Sequence, residues 1–205
     1  MITAIAFDAP DLVAAVADAA PDVRPARATV ATNISGIIDH PRHEQMVTVT
    51  FADVVALHAF ADTVGHVESQ AVILTEDHVV RGSDWLLNRW DRGPVLKHVA
   101  VAKRADGMTL AAMLDAWSNH GGTVQRPGEQ AVVIPERERG LAYVQHHPRV
   151  EHDHEWPYDA ITEVWFDDLD ALRARADWFA YGPGSGPQAL FRQSWFLALR
   201  ETTLV

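Results

Sequence analysis

Cysteine is absent from this chain of 205 residues. Its absence excludes a disulfide framework, a thiolate metal site and a cysteine nucleophile. A chain without cysteine suits a reducing compartment, where disulfides are rare. We therefore expect a cytoplasmic protein whose stability comes from packing.

Positive charge is scarce in the sequence. The chain has 17 Lys and Arg residues against 28 Asp and Glu residues, which gives a net charge of −11. Such a protein would repel a phosphate backbone, and no basic stripe stands out in the sequence. Nucleic acid is therefore not an expected partner.

Long apolar runs are missing as well. No run of apolar residues approaches the length that crosses a bilayer. Residues 1–7 lack the basic segment that begins a signal peptide, and Asp8 and Pro10 follow them closely. We expect neither a signal peptide nor a membrane partner.

Hydrophobic residues are plentiful, at 48% of the chain, which is enough for a substantial core. In the first half, apolar periodicity and turn residues predict the order β-α-β-β-α-β. The predicted strands are 2–7, 28–38, 45–51 and 69–74, and the predicted helices are 11–20 and 53–64.

The same order returns in the second half. The predicted strands are 95–103, 141–147, 158–166 and 190–199. Of the two predicted helices, one is capped by Thr109 and ended by Gly121, and the other is capped by Asp168. The pattern Phe-x-Asp-x-x-Ala-Leu occurs at Phe51 and again at Phe166, at the same strand-to-helix junction. This repetition indicates an internal duplication.

These observations predict an α+β protein made of two tandem ferredoxin-like βαββαβ repeats. Each repeat would form a four-stranded antiparallel sheet with helices on one face, and the bare faces would pack together as a pseudo-dimer. The predicted divisions are a diverged repeat at 1–75, a packed linker at 76–94 and a second repeat at 95–205 that carries the site. The chain would be a monomer with an intramolecular barrel, or a homodimer.

Four stretches of the second half carry a family resemblance, and the last is the most specific. They read Lys103-Arg104-Ala-Asp-Gly-Met-Thr109, Trp117-Ser-Asn-His120, Tyr143-Val-Gln-His146-His147 and Tyr158-Asp159-Ala-Ile-Thr-Glu163-Val-Trp165-Phe166-Asp-Asp-Leu. On these motifs, residues 95–200 resemble the EthD-like branch of the dimeric α+β-barrel proteins.

The resemblance implies a cofactor-free lyase, decarboxylase, isomerase or cyclase that acts on a small hydrophobic, aromatic or polyketide-like molecule in a catabolic or secondary-metabolic pathway. A cofactor-free oxygenase and a non-catalytic accessory protein that binds the same kind of molecule are the alternatives. No cofactor is expected.

His120 is the first candidate for acid–base chemistry. It follows Met113 and Trp117 on one helix face, which should pack on the sheet, and a partly buried imidazole titrates near neutral pH. The alternative is that His120 only caps the helix before Gly121.

Carboxylates on the strand 158–166 are the second set of candidates. Alternation places Asp159, Ile161, Glu163 and Trp165 on one face, which we expect to look into the barrel. A buried carboxylate there would have a raised pKa unless it were paired, so Asp159 and Glu163 could act as acid or base. A salt bridge of Glu163 with Arg104 or Arg192, or simple exposure, is the alternative.

A third set lies on the strand 141–147, where Tyr143, Gln145 and His147 share a face. Tyr143 and His147 could orient a substrate carbonyl or phenol, or they could be polar residues at a solvated edge. Trp117, Trp165 and Trp195 could line an aromatic substrate pocket, although aromatic residues at such spacing also form cores.

The segment 146–155 is rich in His, Asp and Glu. His152 and His154 would point the same way in an extended chain, as two metal ligands do. Surface loops of this composition are usually only solvated, so no native metal site is predicted.

Overall fold

The computed structural model describes residues 1–20, 23–64, 72–91, 93–118, 121–149, 156–186 and 188–205. The long strands of this part of the chain are β1 (Ile2–Phe7), β2 (Arg27–Asn33), β3 (Gln45–Phe51), β4 (Ile73–Arg81), β5 (Val95–Arg104), β8 (Ala142–Pro148), β9 (Ala160–Phe166) and β10 (Phe191–Thr203); two short ones are β6 (Thr123–Val124) and β7 (Val132–Val133). The helices are α1 (Pro10–Asp18), α2 (Val54–Val64), α3 (Ser83–Asn88), α4 (Leu110–Ser118) and α5 (Leu169–Ala180), with 3-10 turns at Arg89–Asp91 and Glu136–Arg139.

The eight long strands form one closed antiparallel barrel. Their order around the barrel is β1-β3-β2-β10-β5-β9-β8-β4, and β4 pairs with β1 to close it. Two seams join the halves of the chain: β2 pairs with β10, and β4 pairs with β8. β6 and β7 form a separate two-stranded ribbon.

The predicted fold class is therefore wrong. Two ferredoxin-like repeats were expected to pack two separate sheets face to face, whereas all eight strands belong to one barrel. Two separate sheets would each have edge strands with unpaired backbone N–H and C=O groups. In the barrel these edge strands pair with each other across the two seams. The periodicity of a strand shows which of its faces is buried, but it does not show which strand lies beside it.

The interior of the barrel is a packed lumen. One apolar cluster takes residues from seven strands: Ile5, Phe7, Ala31, Met46, Ile73, Val99, Val101, Ile161, Leu197 and Leu199, together with Tyr158. The next residues along each strand point outward, where Val164 and Phe166 of β9 pack with Leu172 of α5. Asp159, Ile161, Glu163 and Trp165 were expected to face the lumen. Ile161, Glu163 and Trp165 do so, as their contacts with this cluster, with Lys97 and with Val144 show, whereas Asp159 pairs with Arg104 at the end of the strand.

Helices cover the outer face of the barrel, and three of them begin at capping residues. Asp53 Oδ1 accepts from the Ala56 N–H at 2.9 Å, Thr109 Oγ1 accepts from Ala112 at 3.2 Å, and Asp168 Oδ1 accepts from Asp170 at 2.8 Å. These caps set where α2, α4 and α5 start against the sheet.

The segment 76–94, predicted as a packed linker, has two parts in the structure. Residues 76–81 continue β4, so the expected division after residue 75 falls inside a strand. α3 follows, and its Trp85 and Leu86 pack against Ala142, Val144 and Trp165 of the barrel. In the part of the chain that is described, no helix has both the length and the apolar character needed to cross a membrane.

Candidate functional site

A cavity of about 90 Å³ lies on the outer face of the barrel, beneath α4 and α5. Small side chains of β5 and β9 form its floor, and large aromatic side chains surround it. The floor residues are Ala100, Ala102, Ala160 and Thr162, and the aromatic residues are Trp117, Phe179, Phe191 and Phe196. Protein interiors leave few voids larger than a water molecule, so this helix-side cavity is a candidate binding site.

Tyr143 of β8 brings a phenol to the helix-side cavity. Its oxygen accepts a hydrogen bond from Gln145 Nε2 at 3.1 Å. Burial raises the pKa of the phenol, and the hydrogen bond from Gln145 and the nearby positive charge of Arg175 offset this only in part. The phenol is therefore protonated at neutral pH, and among the described residues no acceptor takes its hydrogen.

Three arginines also line the helix-side cavity, and its described lining contains no carboxylate. Each arginine holds a backbone carbonyl of the segment 134–139. Arg81 Nη2 donates to the Arg139 carbonyl, Arg139 Nε to the Ile134 carbonyl at 2.9 Å, and Arg175 Nη1 to the Glu138 carbonyl at 2.6 Å. The arginines thus fix the rim of the cavity and make it electropositive.

Arg175 is the most deeply buried of the three, with 6% of its surface exposed. Its Nε donates to Nδ1 of His98 at 3.3 Å; burial keeps the pKa of that imidazole far below its ordinary value, so the ring is neutral. Burial also lowers the pKa of Arg175 to about 10, which still leaves the guanidinium charged. The nearby Arg81 Nε is buried without a hydrogen-bond partner.

The predicted site residues do not converge on this cavity as a group. Tyr143 and Trp117 line it. His120, like the His152 and His154 loop, lies outside the described residues. The other predicted residues lie beside the cavity, in the lumen or at one end of the barrel.

His147 lies beside the cavity on the same face of β8 as Tyr143. It stacks on Trp117 with ring centroids 5.0 Å apart and on His78 at 5.4 Å. Burial lowers the pKa of His147 to about 4, and the neighbouring His78 and His146 add to the effect. The neutral ring can donate from Nε2 to Gln145 Oε1, 3.0 Å away, which links it to Tyr143 through the Gln145 amide.

Glu163 lies in the lumen and takes part in an ion-pair network. Lys97 Nζ is 2.9 Å from Glu163 and 2.7 Å from Glu201. His146 contacts Asp77 at 2.8 Å and Glu163 at 3.8 Å. Burial alone would raise the pKa of Glu163, but Lys97 and His146 outweigh it and hold that pKa well below its ordinary value.

The lumen network is electrically balanced when His146 is protonated. Its acids are Asp77, Glu163 and Glu201, and its bases are Lys97, His146 and Arg89, which approaches Glu201 at 3.5 Å. Burial disfavours a charged imidazole, but Asp77 and Glu163 raise the pKa of His146 to about 9. Glu163 is thus a permanently ionised partner of Lys97, not of Arg104 or Arg192.

Trp165 lies in the lumen beside this network. It is 1% exposed, its ring lies 6.0 Å from that of Trp85, and Arg89 lies over it at 4.6 Å. Its contacts are those of a core residue.

Asp159 and Trp195 lie at the opposite end of the barrel. Asp159 pairs with the Arg104 guanidinium and accepts from the Arg104 N–H at 2.9 Å. Trp195 lies edge-on to Tyr158, with Arg42 over its ring at 4.3 Å. Neither residue reaches the helix-side cavity.

The arginines of the cavity were missed from the sequence, although one signal was present. Arg175 lies among Leu172, Ala176 and Phe179 on the buried stripe of α5, where a charged residue is unusual. The alanines of β5 and β9 were a second signal of the cavity, because small side chains on the face of a sheet that packs against helices leave space between the two layers.

The structure also shows a hydrogen-bonded row that the sequence did not suggest. Tyr158 lies 2.6 Å from His43 Nε2, and His43 Nδ1 lies 2.8 Å from Asp8. Arg42 Nε donates to the same phenol at 2.7 Å. These residues come from separate loops, so only the fold brings them together.

Within the described ranges, no group of three or more His, Asp or Glu residues is placed to hold a metal ion. No protein-family model matches the sequence, and no curated protein is significantly similar to it. The location of a candidate site therefore rests on the geometry of the helix-side cavity.

Proposed function

We propose that this chain is a cofactor-independent enzyme that uses acid–base chemistry on a small hydrophobic molecule bound in the helix-side cavity. The reaction is of the lyase or decarboxylase, isomerase or cyclase type, and the substrate is aromatic or polyketide-like. The resemblance of residues 95–200 to EthD-like proteins suggests these reaction types. The helix-side cavity is the site that we propose for the reaction.

The observation that carries this proposal is the protonated phenol of Tyr143 in an aromatic-lined cavity. The hydrogen bond from Gln145 fixes the position of its oxygen, and its own hydrogen remains available to a ligand. A fixed donor in a water-poor site stabilises negative charge on a substrate oxygen more strongly than water does.

A carbonyl compound is the substrate that such a site would activate. Tyr143 would donate to the carbonyl oxygen while negative charge develops there as an enolate. Loss of carbon dioxide from a β-keto acid gives such a species directly. Keto–enol isomerisation and ring closure reach it when a water molecule takes the α-proton, since no described carboxylate or histidine lines the cavity. The positive charges of Arg81 and Arg175 would attract this anionic species without contacting the enolate oxygen.

Tyr143→Phe tests the proposal with a single oxygen removed. We expect the protein to accelerate loss of carbon dioxide from benzoylacetate, or exchange of its α-hydrogens in deuterated water, and Tyr143→Phe to reduce that rate about a hundredfold or more. Proton NMR follows both reactions. Tyr181→Phe is the matched control, since Tyr181 is 77% exposed and should leave the rate unchanged. Equal rates for Tyr143→Phe and the unaltered protein would reject the role of Tyr143.

A non-catalytic binding protein is the second candidate, and one observation favours it. Asp159 and Glu163 are held in ion pairs away from the cavity, and no described carboxylate or histidine lines it. If benzoylacetate binds to the unaltered protein without either reaction, the accessory function replaces the enzymatic one.

A further inference from the structure

Building on the proposed function, we propose that the ligand of the helix-side cavity is a small organic carboxylate whose charged group is bound by Arg175 and Arg81. The apolar part of the ligand would lie against the aromatic side chains and the alanine floor. Tyr143 would then face an uncharged oxygen of the same molecule.

The balance of charge around the cavity supports an anionic ligand. Arg81, Arg139 and Arg175 all line it. Two glutamates lie near them: Glu136 accepts from Arg139 Nη1 at 3.1 Å and also acts on the charge of Arg81, and Glu138 acts on the charge of Arg175. Three positive charges thus face two negative ones. Glu138 accepts from Arg175 through its backbone carbonyl, and its carboxylate, which favours the charged guanidinium, does not line the cavity.

An unsatisfied donor gives the second argument. Arg81 Nε is buried without a hydrogen-bond partner. A buried guanidinium that is only partly hydrogen-bonded is unfavourable, since its lost hydration is not replaced. A carboxylate has two oxygens that accept from such N–H groups, and these charge-assisted bonds are among the strongest in proteins.

The shape and chemistry of the walls restrict the rest of the ligand. Phe179 lies 4.8 Å from the Arg175 guanidinium, and Phe191 and Phe196 line the same space. These rings would bury an apolar body next to a charged group. A hydrated inorganic anion would leave the aromatic walls without a partner, so an organic carboxylate fits better.

A purely structural role does not account for the arginines in full. Holding the carbonyls of the segment 134–139 uses one N–H group of Arg81 and one of Arg175, and a second N–H group of Arg175 donates to His98. A neutral donor such as glutamine could hold a carbonyl in the same way without burying a charge. The remaining N–H groups at the cavity are those that a ligand would occupy.

The test compares acids with their neutral amides on the unaltered protein. Benzoate would be titrated against benzamide, and isobutyrate against isobutyramide, by calorimetry at constant ionic strength. Each acid is expected to bind about ten- to a hundredfold more tightly than its amide. Since the comparison uses the unaltered chain, it does not depend on whether a variant folds.

Variants then show which residue binds the carboxylate of the acid. Arg175→Gln should remove the preference for the acid, and Arg173→Gln, an exposed position on the same helix, should keep it. Arg175→Lys keeps the charge but loses the planar fork, so it should retain part of the preference.

The outcomes separate this inference from the proposed function. Equal binding of acid and amide overturns the carboxylate inference and leaves the cavity as a binding site. Binding of neither pair argues against the cavity as a ligand site and rejects both proposals. A preference for the acid that survives Arg175→Gln would place the anion elsewhere and overturn the inference.

Discussion

Glu163 meets Lys97 inside the barrel, where water reaches neither side chain. Removing one partner of a buried pair leaves the other charge uncompensated, which is among the larger effects of a single substitution. We expect Glu163→Gln to lower the free energy of unfolding by about 3 kcal/mol in urea denaturation at pH 7. Glu136→Gln, at an exposed ion pair, should leave it unchanged. If the two variants were equally stable, the lumen network would contribute nothing to the fold.

His146 makes the stability of the same network depend on pH. Its pKa is about 9 in the folded protein and about 6.5 in an unfolded chain. Its contribution is therefore complete below pH 6.5, where it amounts to about 3 kcal/mol. Between pH 6.5 and 9 the unfolded chain loses this proton first, so the contribution declines as pH rises.

Urea denaturation from pH 6 to pH 9.5 would measure this decline. His146→Asn should flatten the curve in that range, whereas His40→Asn, at an exposed histidine, should follow the unaltered protein. An unchanged slope in His146→Asn would show that another group titrates there.

At the level of secondary-structure elements, the conformation of the turn that leads into β8 requires a glycine. Gly140 has φ +70, and a Cβ there would lie 2.5 Å from the carbonyl oxygen of Trp165. Gly36 has a similar φ of +76 with nothing within 4 Å. Both alanine variants are strained by the backbone, but only Gly140→Ala also collides with β9.

We therefore expect Gly140→Ala to destabilise the protein by at least about 1 kcal/mol more than Gly36→Ala does. Thermal unfolding of the two variants gives the difference. Equal losses would mean that the backbone conformation accounts for the whole effect and the close approach to β9 for none.

Local signals in the sequence predicted most elements well. Asp53, Thr109 and Asp168 cap the helices that were assigned to them, because a cap depends on the next three residues alone. The strands 2–7 and 45–51 were predicted with the bounds that β1 and β3 have. The predicted strand 28–38 ends instead at Asn33, since the β-branched residues after it continue into a turn at residues 35–37.

Contacts between residues that are distant in the chain could not be predicted from the sequence. Arg175 and Arg81 come together only because β4 pairs with β8 and α5 packs above them, and Glu163 finds Lys97 only because β9 pairs with β5. Alternation showed that Glu163 would be buried, but no periodicity names the partner of a buried charge.

For the whole molecule, barrel closure makes the two halves interdependent. A fragment of residues 95–205 would leave β8 and β10 with open edges and would expose Lys97, Glu163 and Glu201. We expect this fragment alone to lack a stable monomeric fold, since open edges and exposed lumen side chains favour unfolding or association.

Adding a fragment of residues 1–91 should restore a one-to-one complex, which circular dichroism and size-exclusion chromatography would detect. A 95–205 fragment that folds alone as a monomer would show that the seams are not needed for stability. It would also support the division of the chain into two domains.

The charged residues of the lumen also restrict which substitutions can accumulate at their positions during evolution. Lys97, Glu163 and Glu201 lie on three different strands, yet each charge depends on the other two. A change at one of these positions is tolerated only when the others change with it, for instance to an uncharged set of similar volume. In related sequences the three positions should therefore covary, although up to 104 residues of chain separate Lys97 from Glu201.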